Sequence, residues 1–299
     1  MSGDRTEHNT QTASGKYDLA IICGYGQMPI EIAQGASKAG RKPYLVGIEG
    51  EAEPNISDYP HEIMAWGQIG KLFKLLKQYG IDEVVFAGGV RKRPDLLKLK
   101  LDLVAIMSLP QVLTFMLGGD NTVLSGTIKL FEKRGIEIVG PHQIAPQLLA
   151  QKGPIAGRKP GSAGIRTIRL GFSACKALGA FDIGQASVAE AGRVVALEGV
   201  EGTDAMLERI VSMRQIGKMP MEGQHGVLVK TMKPGQDIRV DLPAIGPNTI
   251  EGVIRAGLKG IALEADRSII LEREVTIDAA KKAGIFIYGL ASNEGLIDG

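Results

Sequence analysis

Two periodicities trade places near the start of the chain, and this constrains the fold most. "YDLAIICG" (17–24) is a short apolar run closed by glycine. "PIEIAQGASKAG" (29–40) opens on Pro29, favoured in a first helical turn, and ends at Gly40. "KPYLVGI" (42–48) is apolar again. In "GQIGKLFKLLKQYG" (67–80), Ile69, Leu72, Phe73, Leu75 and Leu76 share roughly one helical face. "IDEVVFAGG" (81–89) is a strand closed by two glycines; "SGTIKLFEKRG" (125–135) and the short strand "IEIVG" follow. Continuous apolar strands alternating with helices predict a parallel sheet covered on both faces.

Near residue 150 the texture changes. "QKGPIAGRKPGSAG" (151–164) is rich in Gly, Pro and base and reads as a linker or mobile loop. Beyond it come a helix at "FSACKALGAF", two strands around a Gly-Arg turn in "QASVAEAGRVVALEGV", a helix at "TDAMLERIVSMR" and two strands in "GVLVKTMKPGQDIRVDL". Two further helix–strand pairs follow in "IGPNTIEGVIRAGLKGIALEA" and "VTIDAAKKAGIFIYGL". The expected fold class is α/β, with a Rossmann-like parallel-sheet domain over 17–150 and a second, mixed-sheet α/β domain over 151–290. Polar tails are expected at 1–16 and 291–299.

Lys plus Arg number 35 and Asp plus Glu 33, so no strong nucleic-acid attraction follows. Cys23 and Cys175 are far apart and the four histidines are scattered, which argues against a disulfide framework or a zinc site and for a reducing cytoplasm. Cys175 reads as a core residue. The N-terminus lacks an apolar signal core. The nearest candidate for a membrane span is 101–117, which is slightly short and carries Pro110 and Asp102.

"GYGQMP" (24–29) sits where a dinucleotide fingerprint would sit, with Glu49 at about the spacing of a ribose-binding acid, but Pro29 replaces the third glycine. Gly24 and Gly26 can hold a phosphate at a helix N-terminus or simply make a tight turn. "FAGGVRKRP" (86–94) places Gly88, Gly89 and three cations including Arg91 at a strand end, where a parallel sheet binds ligands. "GGDNTVL" puts Asp120 and Asn121 in a turn. No Gly-Lys-Ser/Thr phosphate loop and no Gly-x-Ser-x-Gly elbow is present. The second half gathers Asp182, Gln185, Glu198, Glu201, Thr203, Asp204, Lys230, Asp237, Arg239 and Asp241 near element ends. Asp237, Arg239 and Asp241 alternate with Ile238, Val240 and Leu242, as on a strand with one polar face. Oxygen ligands with a phosphate-bearing substrate suit Mg²⁺ (or Mn²⁺), and Arg or Lys suits a diphosphate. The set fits metal-assisted phosphoanhydride hydrolysis better than hydride transfer. A non-catalytic nucleotide or nucleotide-sugar binding protein is the alternative.

These residues carry a resemblance. "GYGQMPIEIA", "VVFAGGVRKRP", "GDNTVL", "FDIGQASV", "EGTDAM" and "QDIRVDLPAIGPNT" occur in this order, and over about 17–290 the chain resembles the LpxI-type UDP-2,3-diacylglucosamine pyrophosphatases of lipid A synthesis. The resemblance implies a ligand between two domains and Mg²⁺-dependent hydrolysis to UMP and 2,3-diacylglucosamine 1-phosphate. It also implies a catalytic aspartate in the second domain, at Asp237 or Asp241. The expected catalytic set is Asp237, Asp241, Arg239 and Lys230. Metal ligands are expected among Asp237, Asp241, Asp204 and Glu201, and substrate contacts at Gly24, Gly26, Gly88, Gly89, Arg91, Asp182, Gln185 and Thr203. In the first glycine turn, Tyr25 and Gln27 flank Gly26 where the family often has a third small residue. A lipid substrate gives 101–117, beside the basic "RKRPDLLKLK", a role against the inner face of the inner membrane. A homodimer is compatible with the sequence.

Overall fold

The computed structural model describes residues 16–91, 120–220, 223 and 225–295. The apolar run 101–117, most of the basic stretch after Arg91, the first fifteen residues and the last four lie outside them. Among the described residues no helix is long and apolar enough to cross a membrane.

The first half forms β1 (Leu19–Cys23), α1 (Met28–Lys38), β2 (Pro43–Ile48), β3 (His61–Met64), α2 (Ile69–Tyr79), β4 (Glu83–Ala87), α3 (Asp120–Glu132), β5 (Glu137–Ile138) and α4 (Pro141–Ile144). The strands pair in parallel in the order β3-β2-β1-β4-β5. β1 is buried throughout because its alternate side chains serve two layers. Leu19, Ile21 and Cys23 meet Ile32, Ala33 and Ala36 of α1, while Ala20 and Ile22 belong to the layer with Leu75, Leu76, Ile128 and Phe131. Each such large side chain contributes about 1.5–3 kcal/mol on burial. α2 ends where Gly80 takes a left-handed conformation. The half-exposed edge strand β3 has too little apolar pattern to be read from sequence.

The second half continues with β6 (Gly153–Ala156), α5 (Ser162–Gly179), β7 (Ala186–Glu190), β8 (Arg193–Leu197), α6 (Gly202–Gln215), β9 (Val227–Lys230), β10 (Ala244–Ile245), α7 (Pro247–Arg255), β11 (Gly260–Glu264), β12 (Ile269–Ile270), α8 (Arg273–Lys282) and β13 (Phe286–Leu290). A mixed sheet runs β6-β13-β11-β9-β7-β8, with β9, β11 and β13 parallel. Ile168, Phe172 and Cys175 of α5 cover one face; Met206, Leu207 and Ile210 of α6 and Ile250 and Val253 of α7 cover the other. The two α/β units expected from the pattern are both present, one parallel and one mixed.

Four local readings change. Asp120 and Asn121, expected in a turn, open α3. Residues 151–164 are no loose linker: β6 lies antiparallel on the sheet edge, where Pro154 is tolerated, and α5 starts at Ser162. Only one strand, β9, occupies 226–242; the stretch 231–243 that carries the Asp-Arg-Asp alternation is irregular chain with a turn. Residues 292–294, read as the start of a tail, make a short 3₁₀ turn in which Ser292 Oγ donates to Glu264 Oε1 at 2.7 Å. Cys175 is a core residue, its thiol pushed up to about 12 by burial.

The halves share apolar packing. Met232, Leu242 and Ile269 are buried in the α1-side layer of the parallel sheet. Leu149 bridges Ile269, and the Ala150 N–H donates to Ser268 O at 2.8 Å.

Candidate functional site

The edge of the mixed sheet where β9 ends is built from several elements. Lys230 is the last residue of β9 and pairs with Ala186 at the start of β7. Gln185 precedes β7, Glu198 follows β8, and Thr203 and Asp204 lie in the first turn of α6. Glu198 is buried: Oε2 accepts from the Gln185 N–H at 2.7 Å and Oε1 from Thr203 Oγ1 at 2.6 Å. Lys230 is buried too, and its Nζ donates to Ala244 O at 3.0 Å. Burial lowers the Lys230 pKa from the usual lysine value, while Glu198, Asp204 and Asp241 pull it back up. Gln185 Oε1 and Thr231 Oγ1 are buried without a hydrogen-bond partner. A buried cation with unpaired polar atoms nearby is costly to maintain for stability alone.

Asp241 reaches this cluster from the strap 231–243. The root of the strap is fixed by Glu264, which is fully buried: its Oε2 accepts from the Met232 N–H at 2.9 Å and from Lys176 Nζ at 2.7 Å. Lys233 Nζ pairs with Asp182 Oδ1 at 2.7 Å, so Asp182 holds the strap. Gln236 Nε2 donates to Asp241 Oδ2. Residues 237–241 then form one helical turn, with the Val240 and Asp241 N–H groups both directed at Asp237 O. Arg239 Nε and Nη2 bind the Asp237 carboxylate at 3.0 and 2.8 Å, and Nη1 reaches Glu132 of α3 at 3.0 Å. The Arg239 fork holds the Asp237 carboxyl below its usual range. Burial lowers the nearby His142 imidazole, opposed by the Ile238 backbone and by Asp237. Asp237 and Asp241 therefore part ways: the first is clamped toward the N-terminal domain, and the second acts on Lys230.

At the matching edge of the parallel sheet, the two glycine loops bind each other. The Tyr25 N–H donates to Gly89 O at 2.9 Å and the Gly89 N–H to Tyr25 O at 3.0 Å. The Gly24 N–H donates to Ala87 O at 2.8 Å, and the Gly26 N–H to Glu53 Oε1 at 3.3 Å. Gly88 carries φ +86°, and a Cβ there would sit 2.6 Å from Tyr25 O. Arg91 stacks over the Tyr25 ring at 4.9 Å, its N–H donates to Glu51 and its guanidinium binds Glu53 at 2.7 Å. From sequence the first of these loops suits either a phosphate or a tight turn; the N–H groups of Gly24, Tyr25, Gly26 and Gly89 are engaged within the domain.

Of the expected site residues, the structure brings Gln185, Thr203, Asp204, Lys230 and Asp241 to one edge. Asp182, Asp237 and Arg239 lie on the strap or hold it, and Glu201 is exposed and pairs with Arg209 at 3.1 Å. Glu198 lay among the acids noted in the sequence but outside the expected site set. Its signal was an acid directly at the end of an apolar strand and before a glycine. Among the described residues, no three His, Cys, Asp or Glu side chains converge as a metal cage.

Residues 18–148 match the LpxI N-terminal domain and 151–288 the LpxI C-terminal domain. The chain belongs to the LpxI family. It is 37% identical over 276 residues, covering 92% of this chain and 98% of the relative, to the UDP-2,3-diacylglucosamine pyrophosphatase LpxI of Caulobacter vibrioides. Both LpxI domains match, so the family likeness spans both sheets and the strap between them.

Proposed function

We propose that this LpxI-family chain hydrolyses the pyrophosphate of UDP-2,3-diacylglucosamine to UMP and 2,3-diacylglucosamine 1-phosphate at the Lys230 edge. The observation that carries the reading is the buried Lys230, whose Nζ donates to Ala244 O at 3.0 Å at the edge where Glu198 binds Gln185 and Thr203 and where Gln185 Oε1 and Thr231 Oγ1 lack partners. The name of the Caulobacter relative supplies the substrate. Water attacks one phosphorus, the bridging P–O bond breaks, and the departing phosphate monoester carries away the electron pair. Lys230 places a fixed positive charge, shielded from solvent, against the phosphoryl oxygens, where charge grows in the transition state. Asp241 takes the proton of the attacking water, and Glu198 opposes the loss of charge that burial favours at Lys230 and orients Gln185 and Thr203 toward the substrate. Asp237 and Arg239 hold the strap.

Mg²⁺ sites of this class use one or two carboxylates plus substrate phosphates and need no protein cage. Asp241 and Asp204 fit that donor set, with Mn²⁺ as a substitute ion. When bound, the ion neutralises charge on the diphosphate. Phe181, Ile183 and Val200 are exposed on the loops that flank Gln185 and Glu198, giving the acyl chains an apolar surface beside the site. The run 101–117 is proposed as a further lipid contact at the inner face of the inner membrane.

The test is UMP release from UDP-2,3-diacylglucosamine with Mg²⁺. Wild type is expected to turn over, and Asp241→Asn to lose about 10²-fold in kcat. No UMP from wild type, or an Asp241→Asn enzyme as fast as wild type, removes the assignment.

A further inference from the structure

One turn of chain joins the Lys230 edge to the N-terminal domain, and its anchor on that domain is an exposed acid far from the chemistry. We propose that Glu132 is a positioning residue for Asp241, acting across the domain boundary through Arg239 and Asp237. The inference rests on the function proposed above, with Asp241 at the reacting end.

The strap straddles the edge of the parallel sheet. Ile238 packs into the apolar layer on the α1 side and Val240 into the layer on the α2–α3 side, so its turn is wedged rather than draped. Gly140, just before α4, makes room for it: a Cβ there would sit 3.1 Å from Arg239 Cα and 2.3 Å from the His142 ring. Glu132 Oε1, at the last residue of α3, accepts from Arg239 Nη1 at 3.0 Å. The rest of that guanidinium is committed to Asp237, by Nε at 3.0 Å and Nη2 at 2.8 Å. Asp237 also accepts from the Arg239 N–H at 2.9 Å. Asp237 O then receives the Asp241 N–H at 3.3 Å. An unbroken sequence of charge-assisted and backbone hydrogen bonds thus runs from α3 to the backbone of Asp241. Such networks of directional bonds are a physical route for coupling. An isolated exposed ion pair would contribute little to anything. Glu132 differs because its partner is a planar fork whose other tines fix the turn that presents Asp241.

The experiment compares Glu132→Ala, Glu132→Gln and the control Glu208→Ala, which removes a more exposed ion pair to Arg255 within the C-terminal domain. Glu132→Ala is expected to lower kcat about tenfold with KM within about twofold. Glu132→Gln, which keeps an oxygen acceptor, should recover most of the loss, and Glu208→Ala should leave kcat unchanged. A Glu132→Ala enzyme with wild-type kcat, whatever its Tm, overturns the inference, as does an equal loss in Glu208→Ala. A second reading needs no turnover. The side-chain carboxyl ¹³C resonance of Asp241, assigned with Asp241→Asn, should move in Glu132→Ala and return in Glu132→Gln; an unmoved resonance overturns the inference. A wild type that makes no UMP counts against the proposed function, and the resonance still decides the positioning role.

Discussion

The two sheets present the same kind of edge, where strands end and loops take over, and they use it in opposite ways. At the parallel sheet, the loops after β1 and β4 consume their own N–H groups on each other, and Arg91 is held by Glu51, Glu53 and Tyr25. At the mixed sheet, Lys230 is buried with its Nζ on Ala244 O, and Gln185 Oε1 and Thr231 Oγ1 are left without partners. Polar groups that satisfy one another need nothing further, whereas polar groups left short of partners are what the proposed site would offer a ligand. Glycine-rich loops at a strand end are thus a poor guide to chemistry until the partners of their N–H groups are known.

The sharpest way to break this contrast is Lys230→Met. Loss of a preorganised charge at the phosphoryl group should cost about 10³-fold in kcat. The wild-type rate should also fall as pH rises through the Lys230 pKa, which lies below the ordinary lysine value, because only the protonated form serves. Unaltered turnover in the variant would place the chemistry elsewhere. Gly88→Ala probes the other edge. Its φ of +86° and the Tyr25 carbonyl 2.6 Å from a new Cβ should cost about 2 kcal/mol in urea unfolding, with kcat of the folded enzyme close to wild type. A stable Gly88→Ala that had lost its affinity for UMP would make the parallel edge a ligand site after all.

Asp237→Asn gives the smallest effect on stability, and because the link from Glu132 to Asp241 runs through it, it should also lower kcat as Glu132→Ala does. Removing the charge facing Arg239 should cost about 1 kcal/mol at neutral pH. Asp237 is held below its unfolded value of about 3.9, so its contribution is fully present above that value and vanishes as pH falls through the folded one. The stability gap between wild type and variant should therefore close in acid. A gap that persists there would mean that Asp237 does not act through its charge.

Much of the architecture was legible because continuous apolar strands such as "LAIIC" and amphipathic helices such as α2 carry their period in the sequence. The strap was not. Its apolar Ile238, Val240 and Leu242 alternate with charges as a strand would, but they alternate because they enter layers of a different domain, and that is a tertiary fact. The Pro234-Gly235 pair, which opens a turn, was the local warning. Residues 151–164 misled for the converse reason: an edge strand tolerates Pro and Gly, so a composition suited to a loop was compatible with β6. Gln185, Thr203, Asp204, Lys230 and Asp241 were named from their positions near element ends. Glu198 was harder, since its importance lies in bonds to Gln185 and Thr203 and in its action on Lys230, relations that no spacing encodes.

The apolar layer around α1 contains Met232, Leu242 and Ile269 alongside Leu19 and Ile32. During synthesis, the N-terminal sheet therefore leaves the ribosome with one face unfinished, and must wait for more than a hundred further residues before that face can close. The two halves are separable as family domains but share one apolar layer. A ribosome pause or a truncation between them would leave a sticky intermediate of the kind that chaperones hold.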